Sequence, residues 1–270
     1  MELVTWLDGI LLRHPRLHLW LSKIRFKISH RMLKSFSPIV ERHLYYHTII
    51  PTSPDFDVEV TDHGYCLEPS DLIQLLSETP QIANHVRILQ IEFCEYDPSP
   101  KSPSFEQIPL ILPIFPALEC IMLTTDHSIS LSWQDSLPQS LKTAVEDCLR
   151  LPTLQEVHIG DLQFPLSLLN NHANINYFSL SDSLQLPDFP DDTYLTLKSL
   201  AVEDMDHPNY CTFFSTWAKR HITKLQSLKC DYDHSNEQMI LEFLEICSGT
   251  LNDLDLRLQS PCEVLFLSGT

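Results

Sequence analysis

The sequence predicts an α/β solenoid: a curved parallel sheet with helical or irregular return arms, behind an N-terminal helical cap. Three observations carry this. A short apolar template recurs along the chain. Helix-period segments lie between its copies. Residues 1–43 have helical periodicity and no template.

The template is an apolar residue followed three and five positions later by two more, the L-x-x-L-x-L pattern of leucine-rich repeats. It occurs seven times, as Val86/Leu89/Ile91, Leu118/Ile121/Leu123, Leu154/Val157/Ile159, Ile175/Phe178/Leu180, Leu197/Leu200/Val202, Leu225/Leu228/Cys230 and Leu251/Leu254/Leu256. Successive copies start 32, 36, 21, 22, 28 and 26 residues apart. Positions four and six are two apart, so a strand turns both to one face. Position one enters the core just before the strand. One unit cannot bury its apolar side alone; stacked units cover one another. A weaker relative, Leu44 and Ile49 in "HLYYHTII", predicts a strand in front, and "CEVLFL" (262–267) one behind. The Asn that follows the strand in regular repeats is missing, and only Cys94 is an accepted substitute there. The array should therefore be irregular, without a continuous Asn ladder.

The return arms follow in order. "PSDLIQLLSETP" (69–80) has Pro69 at a helix start and Pro80 as a stop. "LPQSLKTAVEDCLRLP" (137–152) puts Leu141, Val145, Cys148 and Leu149 on one helical stripe. "FPLSLLNN" (164–171) is short, as its 21-residue step requires, and "FFSTWAKRHI" (213–222) serves a longer step. "SNEQMILEFLEICSG" (235–249) is the clearest helix, with Ser235 and Gln238 as a capping box and Gly249 at its C-terminal cap. The Pro/Ser-rich "EYDPSPKSPSFEQIP" (95–109) and "SDSLQLPDFPDDTY" (181–194) read as exposed loops. In residues 1–43 the stripes are Leu3, Trp6, Leu7, Ile10; Leu17, Leu21, Ile24, Ile28; and Leu33, Phe36. They predict two or three short helices capping the solenoid, which occupies residues 44–270.

Charge limits the function classes. The chain carries a formal net charge of −18. Residues 1–50 hold eight Lys/Arg against three acids, and the rest ten against 33. An acidic body repels phosphates, so no nucleic-acid partner is expected there. A protein partner with basic character suits it. No run of 18 apolar residues is present, and no membrane partner is expected. Eight scattered cysteines without a C-x-x-C pair, and no N-x-[ST] sequon, point to a reducing compartment, cytoplasm or nucleus, with the thiols as small buried hydrophobes.

Motifs of catalysis are absent from the sequence. There is no P-loop, dinucleotide fingerprint, nucleophile elbow or H-E-x-x-H string. His14/His18 and His43/His47 have helical i,i+4 spacing, but no third ligand sits at a suitable distance in sequence. "DYDHSNE" (231–237) lacks the central Gly and final Glu of a calcium loop. The expectation is a binding protein, not an enzyme, with neither metal nor cofactor.

Positions three, five and seven of each template alternate with the core positions and should form the inner sheet face. From these, Glu92, Met122, Glu156, His158, Tyr177, Ser179, Glu203, Lys229, Asp231, Asp253, Asp255 and Arg257 are the candidate partner-binding residues. Tyr177 is the aromatic anchor.

"HRMLKSFSPIVERHLYYHTI" (30–49) resembles the tail of an F-box followed by a first repeat strand. "LLSETPQIANHVRILQI" (75–91), "LPTLQEVHIGDLQFPLSLLNNHANINYFSL" (151–180) and "LTLKSLAV" (195–202) are similar to the irregular leucine-rich arrays of fungal F-box proteins. The resemblance lies in pattern and order over residues 30–260. It implies a substrate-recognition subunit of an SCF-type ubiquitin ligase. Residues 1–43 would be a diverged or truncated F-box docking on a Skp-type adaptor, with Leu33, Phe36, Ile39 and Val40 in the contact. The alternative is a stand-alone repeat scaffold that binds protein without a ligase.

Overall fold

A computed structural model describes residues 45–52, 65–93, 103–125, 131–169, 172, 174–181, 197–203, 213–218, 222, 224–232 and 237–258. The N-terminal cap, "CEVLFL" and most of the 181–194 loop lie outside the described residues. The chain divides into two compact units, residues 1–155 and 156–270.

The first unit contains β1 (His47–Pro51), β2 (Tyr65–Cys66), α1 (Pro69–Glu78), β3 (Ile88–Phe93), α2 (Pro103–Ile111), β4 (Cys120–Thr125), β5 (Leu131–Ser132), α3 (Trp133–Ser136) and α4 (Gln139–Leu149). Its main strands pair in the order β4-β3-β1-β2, all parallel. The second unit contains β6 (Glu156–Gly160), β7 (Leu162–Gln163), β8 (Tyr177–Ser181), β9 (Ser199–Glu203), β10 (Ser227–Tyr232), α5 (Glu237–Cys247) and β11 (Asp253–Leu258). Its main strands run β11-β10-β9-β8-β6, again all parallel. Where the connections are described, helices and short helical turns carry the chain between parallel neighbours, as that pairing requires.

The strand register follows the sequence template position by position. Ile88 pairs with Cys120, Glu156 with Tyr177, Tyr177 with Ser199, and Ser227 with both Ser199 and Asp253. Like positions therefore stack on like positions. The first six triplets are all at most 2% exposed. In the seventh, Leu251 and Leu256 are half-buried and Leu254 is 45% exposed.

A backbone contact fixes this register where strands begin. The carbonyl of template position two accepts the N–H groups of positions two and three of the next strand. Tyr46 receives Arg87 and Ile88, and Arg87 receives Glu119 and Cys120. In the second unit Asn176 receives Lys198 and Ser199, Lys198 receives Gln226 and Ser227, and Gln226 receives Asn252 and Asp253. All ten distances lie between 2.7 and 3.0 Å.

Several sequence expectations need correction. The front strand exists, but its register is offset by one from the Leu44/Ile49 reading. His47 pairs with Ile88, so Tyr45, Thr48 and Ile50 are the core triplet, at 1%, 0% and 0% exposure. Thr48 is tolerated because its hydroxyl donates to the Tyr45 carbonyl at 3.3 Å. His47 therefore belongs to a strand, and the helical His43/His47 pairing does not apply at its end.

The 95–109 segment is not wholly loop. Its last seven residues begin α2, which buries Phe105, Ile108 and Ile111 along one side. Pro103 is its first residue, where a missing N–H costs nothing, and Pro109 lies within it. Gly249 does not take the left-handed cap conformation. The Cys247 carbonyl instead accepts from Thr250 and Leu251, both at 2.9 Å, closing α5 without positive φ. Ser235, the other capping residue, lies outside the described residues.

The other arms match their readings. Pro69 opens α1 at the first turn, and Pro80 begins a 3-10 turn after it. Leu141, Val145, Cys148 and Leu149 are buried on α4. The short arm is a 3-10 turn at Leu166–Leu169, and Phe213–Ala218 is a π turn whose Phe214 packs edge-on against Phe243 of α5 at 5.1 Å. An unanticipated capped turn, α3, buries Trp133; the Ser132 hydroxyl accepts from the Asp135 N–H at 3.2 Å.

Cys120, Cys148, Cys230 and Cys247 are buried thiols, as their scattered apolar setting suggested. Burial, aided by the Asp147 charge, pushes Cys148 up to about 12; burial and then Asp231 do the same for Cys230. Both thiols should resist alkylation at pH 8 until the chain unfolds, which mass mapping of iodoacetamide adducts reads directly. A raised folded pKa means that stability is fully present below the unfolded value of about 8.5. It is lost as pH rises toward the folded value of about 12. Replacing a core leucine tests the packing: Leu228→Ala should cost about 2–5 kcal/mol in urea unfolding, whereas Leu254→Ala should cost about 1 kcal/mol or less.

Candidate functional site

The template strands β1, β3, β4, β6, β8, β9 and β10 bury positions four and six and turn three, five and seven the other way; on β11 position four is exposed. On the second unit this open face carries ten of the twelve candidate residues. Glu156 and His158 come from β6, Tyr177 and Ser179 from β8, Glu203 from β9, Lys229 and Asp231 from β10, and Asp253, Asp255 and Arg257 from β11.

Tyr177 is the centre of the aromatic part. Its ring lies 5.0 Å from the His158 ring, tilted by 37°. His158 Nε2 is 3.7 Å from Glu156 Oε2. Register explains the cluster, because Glu156 pairs with Tyr177 and His158 with Ser179, so position five of β6 lies diagonal to position three of β8. Burial raises the Tyr177 phenol above its ordinary value. The Ser179 hydroxyl bond and the Lys229 charge work in the opposite direction, and the Glu203 and Glu156 charges add to the rise.

Lys229 and Glu203 form an ion pair across β10 and β9. In register between Tyr177 and this pair lie the small residues Ser179, Ser199 and Ala201, of which Ala201 is fully buried. Further along, the Ser227 hydroxyl donates to Asp253 at 3.0 Å, and Arg257 contacts Asp255 at 3.3 Å. Asp253, Asp255 and Arg257 are exposed; Glu203, Lys229 and Asp231 are half-buried. Five carboxylates thus share this face with two permanent cations.

The other two candidates belong to the first unit. Glu92 and Met122 are half-buried on its open face, where the Gln90 amide reaches Glu92 at 3.5 Å and Thr124 at 3.4 Å. Ile49, on the same set of positions, is 3% exposed, so this end of the face is not uniformly polar. Leu33, Phe36, Ile39 and Val40 lie outside the described residues.

The sequence pattern assigns these side chains to one sheet face but does not give their contacts. The His158–Tyr177 contact and the Lys229–Glu203 pair both join different template positions on adjacent strands. The Arg87–Glu119 ion pair at 2.9 Å instead joins the same template position, two, on successive strands and ties the starts of β3 and β4. Aligning the templates without gaps would have exposed all three. Among the described residues no helix is long and apolar enough to cross a membrane.

No protein-family model, curated protein or solved structure matches the chain.

The phenol provides a local check of this geometry. Burial favours its neutral form, so tyrosinate absorbance lost in Tyr177→Phe should come from a group ionising above the ordinary pKa of about 10. The stability Tyr177 contributes is present below that value and is lost as pH rises through its folded pKa. A group ionising at or below the ordinary value would contradict the half-buried placement.

Proposed function

We propose that the chain is an irregular leucine-rich-repeat solenoid whose open sheet face recognises a protein segment with basic character. The observation that carries this reading is the array on the second unit: an aromatic anchor, Tyr177 on His158, beside carboxylates fixed on in-register parallel strands. Side chains on paired strands are held with little freedom to lose, so a partner gains from them at low entropic cost. Aromatic residues backed by neighbours are the usual centres of binding energy. The acidic surplus attracts cationic side chains and speeds their approach. The face has the character of a binding surface, and no catalytic role is assigned to it.

On the resemblance to fungal F-box proteins, this face would hold the target of an SCF-type ubiquitin ligase, in the cytoplasm or nucleus. Residues 1–43 would dock on the Skp-type adaptor through Leu33, Phe36, Ile39 and Val40. One observation favours the second reading, a scaffold without a ligase: residues 1–43 contain no Leu-Pro, the dipeptide with which an F-box normally opens.

Two binding measurements separate these readings. Purified full-length chain should bind a Skp-type adaptor saturably in calorimetry, and Phe36→Ala should weaken that binding at least about tenfold. A folded chain that does not bind the adaptor leaves only the scaffold reading. Independently, an array of Lys/Arg-rich peptides should retain the chain in a salt-sensitive manner. Tyr177→Ala should cost about 2 kcal/mol or more on the best peptide, and Asp253→Asn with Asp255→Asn should flatten the salt dependence. Binding indifferent to all three changes would remove the face from the function.

A further inference from the structure

Among the described residues β11 ends the strand order of its sheet, with β10 as its one neighbour. Its core-side residues are Leu254, Leu256 and Leu258. On β10 the equivalent Leu228 and Cys230 are 1% and 0% exposed, whereas Leu254 and Leu258 are 45% and 51% exposed. Leu241 and Ile246 of α5, the helix leading into β11, are also exposed, at 52% and 44%. A six-residue edge strand with exposed leucines on one face is a template for another strand.

The strand sequence selects which strand. Asp253–Leu258 reads Asp-Leu-Asp-Leu-Arg-Leu. Two copies laid antiparallel about Leu256 place Leu254 against Leu258 twice and Leu256 against its twin. They also place Asp255 against Arg257 twice. All the leucines then lie on the core side and all the charges on the open side. Moving the centre one residue to Asp255 sets that carboxylate against itself. Centring between residues puts leucine opposite charge. One register alone therefore satisfies both faces. The existing Asp255–Arg257 contact within the strand is exposed and 3.3 Å long, so its groups are available to exchange partners.

We propose that β11 is the contact edge of a homodimer, in which two copies pair antiparallel about Leu256 and join their sheets edge to edge. The interface is isologous, with the same five residues, Leu254 to Leu258, on both sides and a two-fold axis at Leu256. It leaves the open faces of both copies uncovered, and it stands whether or not that face binds a basic partner.

The test uses sedimentation of the full chain over a wide micromolar range at physiological salt, with circular dichroism as the folding control. Wild type should show a concentration-dependent dimer. Arg257→Asp and Asp255→Arg, each a single reversal at an exposed position, should place like charges opposite one another and raise the dimer Kd at least about tenfold. The double exchange, Asp255→Arg with Arg257→Asp, should restore the dimer by recreating both pairs in reversed polarity. A wild-type chain that stays monomeric throughout overturns the proposal and indicates that another segment or another protein occupies the edge. So does a dimer indifferent to the single reversals, or a double exchange that fails to rescue.

Discussion

The carbonyl at the second template position is the contact on which the rest of the fold depends. By accepting two N–H groups from the next strand, it sets where that strand starts. Tyr46, Arg87, Asn176, Lys198 and Gln226 all do this. A strand slipped by one residue would send every core side chain to the other face. Buried triplets and shared carbonyls therefore enforce one another, one through apolar area and the other through hydrogen-bond geometry. Because the constraint acts at the strand start, the arm that follows is free to vary in length and form. The arms include an eleven-residue helix at Gln139–Leu149, a 3-10 turn at Leu166–Leu169 and a π turn at Phe213–Ala218.

What the sequence made legible was the part governed by the template. All seven triplets coincide with strands, and the period of two gave the open-face residues without further information. What it hid was set by contacts outside the pattern. Thr48 is a core residue only because a nearby carbonyl takes its hydroxyl, so β1 could not be aligned on aliphatic residues. The helix at 103–111 was obscured by prolines at 103 and 109, although Phe105, Ile108 and Ile111 carry a helical stripe. Gly249 looked like a helix cap, yet the turn closes without its conformational freedom. In the site, His158 and Tyr177 are 19 positions apart in sequence and touch only because the template brings β6 and β8 side by side.

The same template sets which side chains meet on the open face. Ser179 and Ala201 are register partners beside Tyr177, and Lys229 is held by Glu203. At β11 the logic reverses: the core positions are still leucines, but the neighbour that would cover them is missing among the described residues. A core position on a parallel strand is buried only where a further element covers it.

The most direct measurement is oxidative cross-linking of Ser179→Cys with Ala201→Cys, which are register partners on β8 and β9. Rapid cross-linking is expected in the folded chain, at positions on the face opposite Leu200, with the chain's thermal unfolding preserved. As a control, Ser179→Cys with Leu200→Cys should not cross-link, because Leu200 turns into the core. Cross-linking of the control pair in place of the first, in a folded chain, would mean a register shifted by one, and the assignment of core and open face would fail with it.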